Sequence, residues 1–136
     1  MIEALSKQIK NTYTDGFFVG LKVTKGLRLT HLMFVDDVLI MDIDSEEEWR
    51  VFKSLLDSFC QASGLEVNFQ KSMFLYNNLV TQRLTIYENM FGINLSHIDG
   101  GMKYLGFQLK PNDYRIVDWR WLVQKLEKKL GHWTTH

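Results

Sequence analysis

The sequence predicts a small α+β domain in which antiparallel β-hairpins pack on amphipathic helices. Its 136 residues are 46% hydrophobic and 24% charged, a composition typical of a globular chain that is long enough to bury a core. Short runs rich in β-branched and aromatic residues are separated by turn-forming dipeptides, which is typical of hairpins. In other segments apolar residues recur at three- and four-residue spacings, which predicts helices with one buried face.

Charge and cysteine content narrow the classes of function. Sixteen basic and sixteen acidic side chains cancel, so the whole molecule has no long-range field for nucleic acid or an anionic membrane, and any such contact must be local. The single cysteine, Cys60, can form neither an internal disulfide nor a cysteine zinc site, which favours an intracellular setting. No secretion signal or membrane-length apolar run is recognisable, so we expect no membrane partner.

The first helix is predicted over residues 1–12, where Ile2, Leu5 and Ile9 share one face. No capping residue precedes it, and we interpret it as the end of a longer helix whose beginning this sequence lacks. Strands are predicted over residues 17–23 and 27–41, with a hairpin turn between them at Lys25-Gly26.

The second of these runs contains two adjacent aspartates, Asp36 and Asp37. We expect them to form an acidic turn that divides the run into a hairpin of residues 29–35 and 38–43. At about 4–6 Å and an effective dielectric of about 20, two like charges repel by roughly 3–4 kcal/mol, so a compensating partner is expected. Mg²⁺ suits this role, because it takes one or two protein carboxylates together with water and substrate phosphates. The spacing alone also allows an ordinary solvated turn.

The remaining elements follow from caps and periodicity. Ser45 as N-cap, with Glu48 at the third helical position, predicts a helix that Gly64 ends. Further segments are predicted as strands at residues 65–69, 72–76 and 102–109, the last closed by residues 111–113, and as helices at residues 81–91, ended by Gly92, and from Asp118 to the C-terminus.

Four blocks of the sequence resemble one family. Residues 31–37, His-Leu-Met-Phe-Val-Asp-Asp, resemble the Phe-Ala-Asp-Asp box of LINE-type reverse transcriptases, the enzymes of non-LTR retrotransposons, especially those abundant in plant genomes. Residues 63–72 resemble the family's next motif, and residues 103–107 resemble the Tyr-Leu-Gly strand that follows. Residues 121–133 are similar to the basic helix that leads into the thumb. The blocks occur in the family's order and spacing.

This resemblance implies part of a reverse-transcriptase palm over residues 1–110 and the start of a thumb-like helix over residues 111–136. The intact enzyme is an RNA-directed DNA polymerase that uses an RNA template, a DNA primer and Mg²⁺ in a two-metal nucleotidyl transfer. By the match, Asp36 is the metal-ligating carboxylate and Asp37 its accessory neighbour.

The match assigns further roles. Lys71 corresponds to the position proposed to protonate the leaving pyrophosphate, although a solvated lysine at a strand end is an equal reading. The primer grip corresponds to Tyr104, Leu105 and Gly106. From Arg120 onward the sequence has four basic residues and one acidic residue. The helix that carries Lys125, Lys128 and Lys129 therefore presents either a phosphate-contacting surface or an ordinary solvated one.

Departures from the family pattern limit the expected activity. Val35 stands where the family usually has Ala, and its bulk would crowd the primer terminus. The family's other catalytic aspartate and its template-positioning loop have no counterpart in residues 1–30, and Asp15, in an Asp-Gly turn, is a poor substitute. We therefore expect no polymerisation by this chain alone, and self-association through the sheet edge that the missing strand leaves unpaired. A non-catalytic nucleic-acid-binding remnant and a functionless relic are the alternatives.

Two other residue types receive structural rather than functional interpretations. His31 lies beside the acidic pair, but a lone histidine in an alternating strand is more often packed or hydrogen-bonded than a ligand. Aromatic residues at helical spacing are usually core residues, and Trp49 is expected to be one.

Overall fold

The computed structural model describes residues 2–41, 45–111 and 114–133. Helices and short paired strands are interspersed along the chain, so the predicted α+β class is confirmed. The predicted strand end at Ile43 and the predicted turn residues Asn112 and Asp113 lie outside the described residues. The chain divides into two compact units: unit 1 is Met1–Met73 with Val80–Asn94, and unit 2 is Phe74–Leu79 with Leu95–His136. The predicted palm–thumb boundary at residue 110 remains a prediction, and residues on both sides of it belong to unit 2.

Three helices build the core of unit 1. They are α1 (Ile2–Thr14), α2 (Glu46–Ser63) and α3 (Thr81–Phe91). The ring of Trp49 meets those of Phe52 and Phe91 edge-on, with centroids 5.9 and 5.7 Å away. The predicted core role is confirmed in part, because this half-buried tryptophan packs against buried core rings. The buried apolar side chains of the unit are Leu5, Ile9, Phe18, Phe52, Phe59, Tyr87 and Phe91.

The predicted helix ends in unit 1 are confirmed. The Oγ of Ser45 accepts the Glu48 N–H at 3.2 Å, which caps the start of α2. Gly64 ends α2 with φ 73° and donates its N–H to the Cys60 carbonyl at 2.9 Å. Gly92 ends α3 in the same left-handed conformation, with φ 61°. Helix α1 continues two residues beyond the predicted Thr12.

Two antiparallel hairpins follow α1 in the chain. The first pairs β1 (Leu21–Thr24) with β2 (Leu27–Leu29), and the second pairs β3 (His31–Phe34) with β4 (Asp37–Ile40). The predicted strand at residues 17–20 is wrong, because the Val19 N–H donates instead to the Glu48 carboxylate at 2.9 Å. That N–H is therefore unavailable to a strand ladder.

The segment after α2 also differs from the prediction. Residues 65–69 are not a strand, because Asn68 organises a turn there: its carbonyl accepts the N–H groups of Lys71 and Ser72 at 3.2 and 3.0 Å. The strand predicted at residues 72–76 is confirmed as β5 (Met73–Tyr76). It pairs with a strand that the sequence did not indicate, β6 (Asn94–His97).

Unit 2 contains a third antiparallel hairpin and the last helix. The single strand predicted over residues 102–109 is a hairpin of β7 (Met102–Tyr104) and β8 (Phe107–Leu109). Leu105 and Gly106 form its two-residue turn, with φ 52° and 82°, the two positive values that a type I′ hairpin turn needs. Helix α4 (Ile116–Trp133) begins two residues before the predicted Asp118. None of the helices in the described residues is long and apolar enough to cross a membrane.

Candidate functional site

The acidic pair lies at the tip of the β3–β4 hairpin. Phe34 pairs with Asp37, so the two-residue turn consists of Val35 and Asp36, and Asp37 is the first residue of β4. The predicted turn of Asp36 and Asp37 is therefore wrong by one position. Val35 occupies the first turn position with φ 53°, a conformation that is an outlier for a β-branched residue.

Both carboxylates are exposed to solvent. Alternation along the paired strands places Asp37 on the same face as Phe34 and Leu32, which are 57% and 41% exposed. The side of the hairpin that carries Met33 borders α1, where a cleft of about 540 Å³ is lined by Ile2, Glu3, Ser6, Lys10, Met33 and Val35. The turn that presents the acidic pair therefore opens beside a cleft with one acidic and one basic side chain.

The chemistry of the pair suits a hard divalent cation. Carboxylate oxygens are the ligands that Mg²⁺ prefers, and this ion takes only one or two of them from protein. Among the residues that the structure describes, no three His, Cys, Asp or Glu side chains are grouped so that they could hold a metal ion. Asp36 and Asp37 would thus hold the ion with two side chains, and the remaining ligands would be water or phosphate oxygens.

His31 connects the hairpin to α1. Its Nε2 lies 2.7 Å from the Oγ of Ser6, and its Nδ1 lies 2.8 Å from the Oγ1 of Thr30. Burial, and then the Lys10 ammonium, lowers the pKa of His31 below its ordinary value. The prediction that this histidine is hydrogen-bonded within the fold is confirmed.

Lys71 lies in the turn organised by Asn68. Its N–H donates to the Asn68 side-chain oxygen at 3.1 Å, and its side chain is exposed. The proposed role in proton transfer to pyrophosphate and the solvated reading both fit an exposed ammonium, so this assignment stays a prediction.

A second candidate site lies in unit 2, between the β7–β8 turn and α4. Leu105, Gly106 and Phe107 border a cavity of about 200 Å³, whose opposite side is formed by Trp121, Leu122, Lys125, Leu126 and Lys129 of α4. The rings of Phe107 and Trp121 meet edge-on at 5.5 Å. The structure thus brings the predicted primer-grip residues Leu105 and Gly106 together with two of the three predicted nucleic-acid-binding lysines.

The other two predicted residues of this group do not line the cavity. Tyr104 is the last residue of β7 and pairs with Phe107, and the predicted strand over Tyr104, Leu105 and Gly106 is a strand end and a turn. Lys128 lies on α4 with an exposed side chain away from the cavity lining. The structure therefore separates Lys125 and Lys129 from Lys128.

Two charged groups in the fold were missed as positioning residues. Glu48 is 9% exposed and is the one charged side chain among the buried residues of the described part of the chain. Its carboxylate accepts the Val19 N–H and so holds the segment before β1 in place. Asp118 accepts the Arg115 N–H at 2.8 Å and the Lys110 ammonium at 2.9 Å. The sequence signal for both was an acidic residue at the third position of a helix.

Comparisons with known proteins yield no match for this chain, whether with protein-family models, with curated proteins or with solved structures.

Proposed function

We propose that this chain is part of the palm of a LINE-type reverse transcriptase, with Asp36 and Asp37 as carboxylate ligands for Mg²⁺, and that it does not polymerise alone. The observation that carries the proposal is the tip of the β3–β4 hairpin, where Asp36 in the turn and Asp37 at the start of β4 are both exposed beside a cleft. An acidic pair in this position is accessible to a metal ion and to the phosphates of a nucleotide.

The surroundings of the hairpin are consistent with an incomplete palm. In the described part of the chain β3 and β4 pair only with each other, which leaves backbone groups on both edges free to pair with a further strand. Leu32, Phe34 and Val35 expose apolar surface on and beside the same hairpin. This exposed edge also supports the expected self-association through the sheet.

Metal binding can be tested with the whole chain by NMR during titration with Mn²⁺ as a paramagnetic substitute for Mg²⁺. We expect the amide signals of residues 35–38 to broaden first, and the double variant Asp36→Asn/Asp37→Asn to lose this effect. The matched control is Glu46→Gln/Glu47→Gln, which removes the same charge from the first turn of α2 and should leave the broadening unchanged. Broadening that is strongest elsewhere, or that survives in the Asp36/Asp37 variant, contradicts the proposed site.

Inactivity can be tested with the purified chain, a primer annealed to an RNA template, Mg²⁺ and nucleotides. We expect no primer extension, because two carboxylates do not complete the protein ligands of a two-metal site. Extension that disappears in Asp36→Ala would show that the chain is an active polymerase.

The cavity in unit 2 favours a second candidate function, the binding of a nucleic-acid backbone without chemistry. Lys125 and Lys129 are one helical turn apart and border the same apolar cavity. Two ammonium groups at this spacing can contact neighbouring phosphates, while the apolar side chains contact sugar or base.

Fluorescence anisotropy with a labelled RNA–DNA duplex, at several salt concentrations, tests this function. We expect affinity to fall steeply with salt, and Lys125→Gln/Lys129→Gln to reduce the slope of log K against log salt by about 2, near 0.9 per phosphate contact. Lys128→Gln, away from the cavity, is the control and should leave the slope unchanged. Absence of binding would contradict this second function and leave the metal-binding palm segment as the remaining proposal.

A further inference from the structure

One side of α4 exposes a regular apolar seam. Five of its side chains are 44–85% exposed, and they are separated alternately by three and four residues: Ile116, Trp119, Val123, Leu126 and Leu130. This spacing is the a and d pattern of a coiled-coil heptad, with β-branched residues at two of the three a positions. Exposure of such a seam to water is unfavourable, and its burial against a partner would be favourable.

The seam lies beside the side of α4 that the β7–β8 hairpin already covers, and Leu126, which is 52% exposed, borders both. The packed side carries Asp118, bonded to Lys110, and Trp121, whose ring contacts Phe107. At 3.6 residues per turn, the centre of the seam is rotated from this packed side by about a third of a turn. Because all five seam side chains keep 44% or more of their surface exposed, a second helix can occupy the seam while the hairpin stays in place.

Two charged residues flank the seam along the same edge. With Ile116 at position a, Arg120 and Glu127 both occupy position e. When two helices lie antiparallel with Val123 of each facing Leu126 of the other, the e positions face each other. Arg120 of each copy then lies opposite Glu127 of the second copy, which gives two attractive contacts related by a two-fold axis.

We propose that α4 pairs with α4 of a second copy of this chain, antiparallel, through the seam of Ile116, Trp119, Val123, Leu126 and Leu130. A parallel pair is disfavoured on two counts. It would place Arg115, at position g, opposite Arg120 of the second copy, and like charges at these positions repel. A parallel pair would also pack Trp119 against Trp119 of the second copy, whereas the antiparallel arrangement packs Trp119 against Leu130 of the second copy.

Sedimentation equilibrium of the whole chain tests the proposal, at concentrations up to on the order of 100 µM. It compares the dimerisation of the wild type with that of variants in which the charge at position e is reversed. We expect a reversible dimer. Arg120→Glu and Glu127→Arg should each weaken dimerisation about ten-fold, because each turns both attractive contacts into repulsive ones. An equimolar mixture of these two variants should again dimerise, since the mixed pair restores both contacts.

The control is Lys128→Glu, which changes charge by the same amount on the side of α4 opposite the seam and should leave dimerisation unchanged. Far-UV circular dichroism checks that each variant keeps its helices. A wild-type chain that stays monomeric overturns the proposal, as does a dimer that none of the variants weakens, which would place association at the sheet edge or elsewhere. Stronger dimerisation of Arg120→Glu would indicate the parallel arrangement and would also overturn it.

Discussion

Ser6 of α1 and His31 of β3 are joined by a hydrogen bond of 2.7 Å between Oγ and Nε2. The bond ties the first helix to the hairpin that presents the acidic pair. In the neutral imidazole one ring nitrogen donates and the other accepts, and the Ser6 and Thr30 hydroxyls on either side can serve both roles. Protonation of His31 would therefore keep partners for both nitrogens, and its cost comes from burial and from Lys10.

The first prediction concerns the pH dependence of folding. Because the pKa of folded His31 lies below its ordinary value of 6.5, the unfolded chain binds this proton more readily. The free energy of unfolding is then highest above pH 6.5 and falls as pH decreases through that value towards the folded pKa. In urea titrations we expect a smaller drop between pH 7.5 and 5.5 for His31→Gln than for the wild type. Equal drops would contradict the role of His31.

The second prediction concerns the strained turn residue Val35. At φ 53° a β-branched residue is strained, whereas glycine adopts this conformation freely. Allowing for the entropy that glycine adds to the unfolded chain, Val35→Gly should stabilise the fold by about 0.5–1 kcal/mol. Val23→Gly is the matched control, because Val23 is an exposed strand valine without positive φ. It should destabilise by about 1 kcal/mol. Destabilisation by both in urea unfolding would argue against strain at Val35.

The β3–β4 hairpin was predictable from the sequence, but the residues of its turn were not. Alternation keeps the same side chains together on each face whether the turn lies at Val35 and Asp36 or at Asp36 and Asp37. The choice between these turns depends on backbone conformation. Propensity rules reject a valine with positive φ, so the sequence could not indicate the observed turn.

The helices were predicted more accurately than the strands because their ends carry local signals. Ser45, Gly64 and Gly92 act through their own backbone neighbours. Residues 17–20, in contrast, are kept out of the sheet by Glu48, which is 29 positions away from Val19. A contact between such distant positions leaves no periodic trace in the sequence.

One candidate site was predictable from local sequence, and the other depends on tertiary packing. Asp36 and Asp37 stood out as charges inside an apolar run, so their exposure at a hairpin tip was predictable. The approach of Lys125 and Lys129 to the Leu105-Gly106 turn depends on how α4 packs on the β7–β8 hairpin. Sequence spacing showed that the lysines share a helix, but not which of them border the turn.

The third prediction concerns the buried carboxylate of Glu48. Removing it in Glu48→Ala leaves the Val19 N–H without this acceptor, and a part-buried donor that loses its acceptor costs about 1–3 kcal/mol. Glu48→Gln should cost less, because the amide oxygen can still accept. Thermal or urea unfolding measures both, with Glu47→Ala as the exposed neighbour expected to change stability by less than about 0.5 kcal/mol. Similar losses in Glu47→Ala and Glu48→Ala would contradict a specific role for Glu48.

The last prediction concerns the start of α4. The Arg115 N–H and then the Lys110 ammonium hold the pKa of Asp118 below its ordinary value of 3.8. Because the folded pKa is depressed, the stability that Asp118 contributes is complete above pH 3.8 and is lost as pH falls through the folded value. The Arg115 amide proton should therefore shift in NMR spectra with a midpoint below pH 3.8.

Two variants separate the causes of this shift. Asp118→Asn has no carboxyl to titrate, so the movement of the Arg115 amide signal over this pH range should disappear. Lys110→Ala removes only the second of the two interactions, and the midpoint should rise towards 3.8 while the Arg115 bond keeps it below that value. Glu127→Gln, further along the same helix, serves as the control and should leave the midpoint unchanged. A wild-type midpoint at or above 3.8, or one that Lys110→Ala fails to move, would show that these groups do not hold the carboxylate in its charged form.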